Sequence, residues 1–326
     1  MVTCSNLKIK AYGKINLALD IVGKRDDGYH MLNTVMQSVS CFDLLDFTLS
    51  EGEGIELTCK LDSFPKGEDN IITKAYHAFA DFTHIDFGCK ITVNVEKNLP
   101  SQAGMGGGSA DAAATLRALD FMFDTRLTDE QLCSIGVALG ADVPFCITGG
   151  TRLCQGVGEI MSNLPSPDCA FVIIKPDVGI STPEAFKKYD SISNPKRCNM
   201  DVLLRYIGGG KLFGICSNLF NVLEYAADRE EIAHAVQELK NSGALSALMT
   251  GSGSAVFGVF PDIASAQTAA EKLSGWSYGR ARVFGQGRFG FLQRTVPAAL
   301  SGGGRGSSPV SSSDRLPNIT LRTPIN

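Results

Sequence analysis

Apolar residues alternate with lysines at the start of the chain. Leu7, Ile9 and Ala11 are separated by Lys8 and Lys10, and Ile15, Leu17, Leu19 and Ile21 repeat the spacing. A period of two predicts strands. The run 23–28 (GKRDDG) reads as a turn or loop, and strands are expected again at 34–49, 55–59 and 91–95. Between the last two the period changes. Ile71, Ala75, Ala78, Phe79 and Phe82 fall on one face of a helix that Asn70 caps. After a glycine-rich break at 98–108, Ser109 and Asp111 open an alanine-rich helix running to Phe123. Thr128-Asp-Glu-Gln131 is a capping box for the next helix, and Gly140 ends it. The apolar runs 143–147 and 151–155 are expected as paired strands around Gly149-Gly150.

The proline-rich stretch 164–167 marks a boundary. Beyond it the pattern predicts a buried strand at 171–174 and a helix with Thr182 as cap and Pro183 in first position. Helices follow near 199–207, 217–226 and 229–241. Strands at 244–249 and 255–260 flank Thr250-Gly-Ser-Gly253, then come a helix at 263–273 and a strand at 280–284. From about Phe289 serine and glycine dominate, and such a segment buries no core. The chain therefore divides into 1–163, 164–288 and a disordered or non-native tail at 289–326.

Length and composition narrow the class. A chain of 326 residues exceeds one ordinary core. Thirty Lys+Arg against 34 Asp+Glu, net charge -4, gives no basic bias toward nucleic acid. None of the ten cysteines forms a Cys-x-x-Cys pair, which argues against a zinc knuckle and for reduced thiols in a cytoplasm. Lys8, Lys10 and Lys14 interrupt any N-terminal apolar run, and no stretch approaches the ~20 apolar residues of a membrane span.

Five segments could carry chemistry. Pro100 to Asp111 (PSQAGMGGGSAD) lies between a strand and a helix, where glycines turn backbone N–H groups toward a polyanion and the helix adds its positive end. A plain hinge would look the same locally. No Gly-Lys-Ser/Thr ends it, and Ser109 stands where the dinucleotide fingerprint needs glycine. Lys14-Ile-Asn16 puts two polar residues into an apolar strand, either functional or a strand end with its ammonium in water. Asp142 in Gly140-Ala-Asp-Val-Pro-Phe145 is a base or a turn residue. Tyr29-His30 suits base recognition or an ordinary surface loop. Thr250-Gly-Ser-Gly-Ser254 offers backbone N–H groups or a tight turn.

Taken in order, KINL, GKRDDGYH, LPSQAGMGGGSADAAATL, LGADVPF, GVGE and the GSG turn resemble the GHMP kinases, and among them the 4-diphosphocytidyl-2-C-methyl-D-erythritol kinases, from about Lys8 to Phe284. GYH, GADVPF and STPEAF carry the narrower resemblance. It implies an α+β, two-domain GHMP kinase fold: an N-terminal ribosomal protein S5 domain 2-like domain, a C-terminal ferredoxin-like domain, and a site in the cleft between them. It implies phosphorylation of the 2-hydroxyl of a cytidine-diphosphate-linked methylerythritol in the non-mevalonate isoprenoid pathway, with ATP and Mg²⁺, by a monomer or weak homodimer. Asp142 would be the base and Lys14 its cationic partner. Lys97, Pro100, Gly104, Met105, Gly106, Gly107, Gly108 and Ser109 would hold ATP. Tyr29 and Phe186 would clamp cytosine, His30 would bond its edge, and Asn16, Val157 and Thr182 would line the rest of the substrate pocket. No metal ligand is assigned.

Three positions depart from the family pattern. Met105 replaces Leu, a swap of little consequence. Ala110 replaces a common Ser, which would remove a hydroxyl near the phosphates. Ser254 replaces a common Pro, which would loosen the last turn. Tyr29, His30 and Phe186 argue against homoserine or mevalonate as substrate. The net charge and the paired Lys14 and Asp142 argue against an RNA-binding module.

Overall fold

The computed structural model describes residues 4–274, 279–284 and 292–293. Its spine is a hairpin of two long strands, β1 (Asn6–Lys24) and β2 (His30–Ser50). In the first half of β1 the lysines are half-buried and Leu7, Ile9 and Ala11 are buried, as the alternation requires. From Gly13 to Ile21 every residue is buried, because a second layer covers the other face. Register shifts interrupt the β1–β2 ladder at Tyr12/Lys14, Asn16/Ala18 and Ile21/Gly23. Such bulges re-aim side chains, and two of them bracket Lys14 and Asn16.

The sheet grows from the edge of β2 that β1 leaves open. Next in the chain come β3 (Gly54–Cys59), α1 (Ile71–Thr83) and β4 (Lys90–Glu96). Then follow α2 (Gly107–Phe123), α3 (Asp129–Leu139), α4 (Val143–Thr148), β5 (Thr151–Gly156) and β6 (Ile160–Leu164). β2 pairs with β4 over Leu44–Ser50 and with β5 over Leu32–Gln37, so it serves two neighbours in turn. Asn70 caps α1 through Ile72 N–H, and Thr128 and Gln131 form the reciprocal box of α3. The small residues Ala110, Ala112, Ala113, Ala114 and Ala118 are buried and let α2 lie close on β1 and β2.

The second layer holds β7 (Ala170–Pro176), α5 (Thr182–Tyr189), α6 (Met200–Gly208), α7 (Leu212–Cys216), β8 (Phe220–Asn221) and α8 (Val222–Ala227). It continues with α9 (Glu230–Asn241), β9 (Ser246–Met249), β10 (Val256–Phe260), α10 (Ile263–Lys272) and β11 (Gly279–Phe284). Its sheet is antiparallel in the order β11-β7-β10-β9, with α9 and α10 packed against it. Two strands return to the first sheet: β8 pairs with β1 at Ala18–Leu19, and β12 (Leu292–Gln293) pairs with it at Lys8–Ile9. β12 lies within the expected tail; the rest of 289–326 falls outside the described residues.

Three expectations are corrected. Residues 143–148 form a helix, not a strand, because Pro144 sits in the first turn, where its missing N–H costs nothing, whereas a strand there would lose a ladder bond. The helix expected at 217–226 starts only at Val222: α7 ends at Cys216, residues 220–221 form β8, and Asn221 accepts from Leu223 N–H at 3.0 Å to cap α8. The cap of α5 is Ser181, not Thr182; the Thr182 hydroxyl is engaged with Ser252 Oγ at 2.8 Å instead.

Candidate active site

The site begins at the first bulge of β1. Lys14 is 4% exposed, and its backbone N–H donates to Met105 O at 3.0 Å. Its ammonium donates to Asn16 Oδ1 at 2.8 Å and lies 3.3 Å from Asp142 Oδ2. Asn16 is fixed in turn: its Nδ2 donates to Thr34 Oγ1 at 2.9 Å and its backbone N–H to Thr250 Oγ1 at 3.0 Å. Lys14 is therefore a buried cation held by strand neighbours, not a strand end with its head in water. Asp142 makes no side-chain cap bond to α4, so its carboxylate is left for Lys14 and the cleft.

The glycine loop closes over this pair. Gly106 caps α2 with φ +70, and a Cβ there would lie 3.8 Å from Asp142 Oδ2. The first N–H groups of a helix have no intrahelical acceptors, and here they belong to residues 107–109 beside that carboxylate. Free N–H groups at a helix start, with the helix dipole behind them, are suited to an anion. Gly104 backs onto the 250–253 turn so closely that its Cβ would overlap Thr250 O. That turn is hung from Asn221, whose Nδ2 donates to Met249 O at 2.7 Å and Gly251 O at 2.8 Å.

Every sequence-predicted site residue lines one cleft of about 1140 Å³: Lys14, Asn16, Tyr29, His30, Lys97, Pro100, Gly104, Met105, Gly106, Gly107, Gly108, Ser109, Asp142, Val157, Thr182 and Phe186. At its far end His30 stacks on Phe186 with ring centroids 4.8 Å apart, and Tyr29 is 64% exposed. Phe186 thus rests on His30, where the sequence reading set it against a bound base. Gly158, beside Val157, lies so close to the residue before Asp142 that a Cβ there would sit 3.1 Å from Ala141 O.

Lys97 has closer partners than sequence reasoning gave it. Its ammonium contacts Asp43 Oδ2 and lies 2.6 Å from Asp111 Oδ2. Asp43 is fully buried and accepts from the N–H groups of Asn98 at 2.5 Å and Leu99 at 2.7 Å. Burial works against the Lys97 charge, but Asp111 and Asp43 outweigh it and hold the ammonium above the ordinary lysine range. Burial lifts the Asp111 carboxyl to about 7, with Lys97 pulling it down and Asp43 adding to the rise. Asp111 Oδ1 is buried and finds no hydrogen-bond partner among the described residues. A second cavity of about 590 Å³ adjoins here, lined by Leu61, Phe64, Pro65, Asn70 and Ile71, and shares Lys97, Leu99 and Pro100 with the cleft.

The departures resolve differently. Ala110 is 1% exposed and absent from the cleft lining, so a hydroxyl there would be buried in the helix packing. Ser254 does not loosen the turn: its N–H donates to Gln102 O at 3.1 Å, a bond proline lacks, and its hydroxyl donates to Val178 O. Burial pushes Cys133, Cys198 and Cys216 up to about 11, which suits inert thiols. Among the described residues no three His, Cys, Asp or Glu gather as metal ligands, and no helix is long and apolar enough to cross a membrane.

Residues 70–150 match the family model of the GHMP kinases N terminal domain, and residues 203–278 that of the GHMP kinases C terminal domain. The chain is 39% identical to a 4-diphosphocytidyl-2-C-methyl-D-erythritol kinase of Clostridium beijerinckii, over 82% of this chain and 95% of that one. It is 41% identical to one of Caldicellulosiruptor bescii, over 82% and 94%. A solved 4-(cytidine 5'-diphospho)-2C-methyl-D-erythritol kinase superposes with TM-score 0.70 at 28% identity, covering 86% of this chain and all of that one. A homoserine kinase from Cytophaga hutchinsonii reaches TM-score 0.70 at 17% identity, covering 90% and 97%, which is a likeness of fold. On these matches the chain is a GHMP kinase in fold and belongs to the 4-diphosphocytidyl-2-C-methyl-D-erythritol kinase family.

Proposed function

We propose that this protein transfers the γ-phosphoryl group of ATP to the 2-hydroxyl of 4-diphosphocytidyl-2-C-methyl-D-erythritol. The observation that carries this reading is the Lys14–Asp142 pair, 3.3 Å apart, facing the N-terminus of α2 inside one cleft. Phosphoryl transfer asks mainly for positioning and neutralisation of charge. Asp142 accepts the hydrogen bond of the acceptor hydroxyl and aims its oxygen. Lys14, 3.3 Å from Asp142 Oδ2, stabilises negative charge as it develops on the hydroxyl oxygen. The N–H groups of residues 107–109 hold the phosphates, and the apolar cavity beside Lys97 takes the adenine. Tyr29, His30 and Phe186 hold the cytosine, with Asn16, Val157 and Thr182 along the linker.

Magnesium fits this donor set. It binds through one or two protein oxygens plus phosphates and water, and the Ser109 hydroxyl and Asp142 carboxylate line the same cleft. When bound it would supply neutralisation of phosphate charge. We also propose the division of the chain between 163 and 164, at the last residue of β6 and ahead of β7. The testing experiment is phosphate transfer from ATP to the cytidine-linked substrate, homoserine and mevalonate in parallel. Preference for the cytidine-linked alcohol is expected; turnover of either other alcohol in its place would overturn the reading.

A further inference from the structure

His30 is held on three sides by one element. Phe186 stacks on it with an interplanar angle of 29°, and Tyr189 meets its edge at a centroid distance of 6.1 Å. Asp190, directly after α5, sets Oδ1 2.6 Å from His30 Nε2. The other oxygen of Asp190 accepts from Lys24 Nζ at 2.6 Å, so the carboxylate is anchored at both ends. The His30 bond first, and the Lys24 bond second, hold Asp190 below the usual carboxylate range. It has no proton to give. The short contact therefore needs a hydrogen on His30 Nε2.

A neutral imidazole carries one N–H, so Nδ1 is left with its lone pair. Among the described residues Nδ1 makes no hydrogen bond, and His30 lines the cleft. An acceptor fixed there suits an amino group. Cytosine presents its 4-amino group where uracil presents a carbonyl oxygen; a uracil would set lone pair against lone pair. We infer that Asp190 is a positioning residue that fixes the proton of His30 on Nε2 and thereby selects an amino-bearing pyrimidine over its oxo counterpart. This rests on the reading of the Tyr29–His30–Phe186 end of the cleft as the base site. Asparagine at 190 would remove the constraint, because its amide can either accept from Nε2–H or donate to a bare Nε2.

The test compares kcat/KM for the cytidine-linked substrate and its uridine analogue in the wild type, Asp190→Asn and Lys24→Met, and reads the His30 tautomer by ¹⁵N NMR of the substrate-free protein. The wild type is expected to carry hydrogen on Nε2 and to prefer cytidine at least about a hundredfold. Asp190→Asn should lose about tenfold of that preference, through KM and not kcat. Lys24→Met, which breaks only the second bond to the carboxylate, should keep both the tautomer and the preference. Hydrogen on Nδ1 in the wild type, an unchanged preference in Asp190→Asn, or an equal loss in Lys24→Met would each overturn the inference. If the wild type turns over neither substrate, the proposed function fails, while the tautomer measurement still decides the role of Asp190.

Discussion

A Cβ placed on Gly106 would lie 3.2 Å from Lys14 Cγ and 3.3 Å from its Cε. The glycine is thus both a turn residue at φ +70 and the space into which the buried lysine fits. Gly106→Ala should cost about 1–2 kcal/mol from the left-handed backbone alone. It should also shift Lys14 away from Asp142. Lys14 would have to yield by a few tenths of an ångström at the reacting centre, so kcat should fall while the fold survives. Steady-state kinetics beside thermal denaturation check this.

Asp142→Asn should leave the fold intact, because Asp142 makes no side-chain bond to the helix it precedes. Its loss should lower kcat by about 10²–10⁴-fold, the span of a positioned proton acceptor. KM for ATP should move little. Near-normal turnover would remove Asp142 from the chemistry. Lys14→Met differs in kind: it removes the 2.8 Å donor of Asn16 Oδ1 and leaves only the long Thr250 contact at 3.4 Å, so a drop in stability should accompany the drop in rate.

What the sequence discloses and what it hides follow the reach of each interaction. The strand alternation of Leu7, Ile9 and Ala11, the Asn70 cap and the Thr128–Gln131 box depend on residues a few positions apart, and all are legible. The apolar run at 143–147 misleads, because Val, Phe and Ile suit a strand while Pro144 suits the first turn of a helix. Asp43 reads as one more polar position in β2. Its partner Lys97 is 54 residues away, and Asp190 is 160 from His30, so no local pattern announces either pair. Lys14 stands out as a polar residue in an apolar strand, but neither its burial nor the register shift beside it shows in the local pattern.

The Lys97 cluster separates two roles by measurement. A lysine that chiefly touches nucleotide would, on removal, raise KM for ATP and leave stability alone. Lys97 instead neutralises two buried carboxylates that tie β2 and α2 to the strand before the glycine loop. Lys97→Met should destabilise by about 3–5 kcal/mol, the cost of stranding buried charge. Urea denaturation and KM for ATP, taken together, decide between the two.

Glu224 gives a test that depends on pH. Its Oε2 accepts from Met249 N–H at 2.7 Å, just before the turn that packs on Gly104. Burial raises its carboxyl above the ordinary value of 4.5, and the Met249 bond and Lys240 only partly oppose the rise. Above pH 4.5 the folded state therefore holds more proton at this site than the unfolded state. Stability from this group falls as pH rises through the folded value. Glutamine keeps an acceptor for Met249 N–H and has no charge to bury. Glu224→Gln should therefore melt higher than the wild type at pH 8, with the difference shrinking toward pH 4. A constant offset across that range would mean that Glu224 is ionised alike in both states.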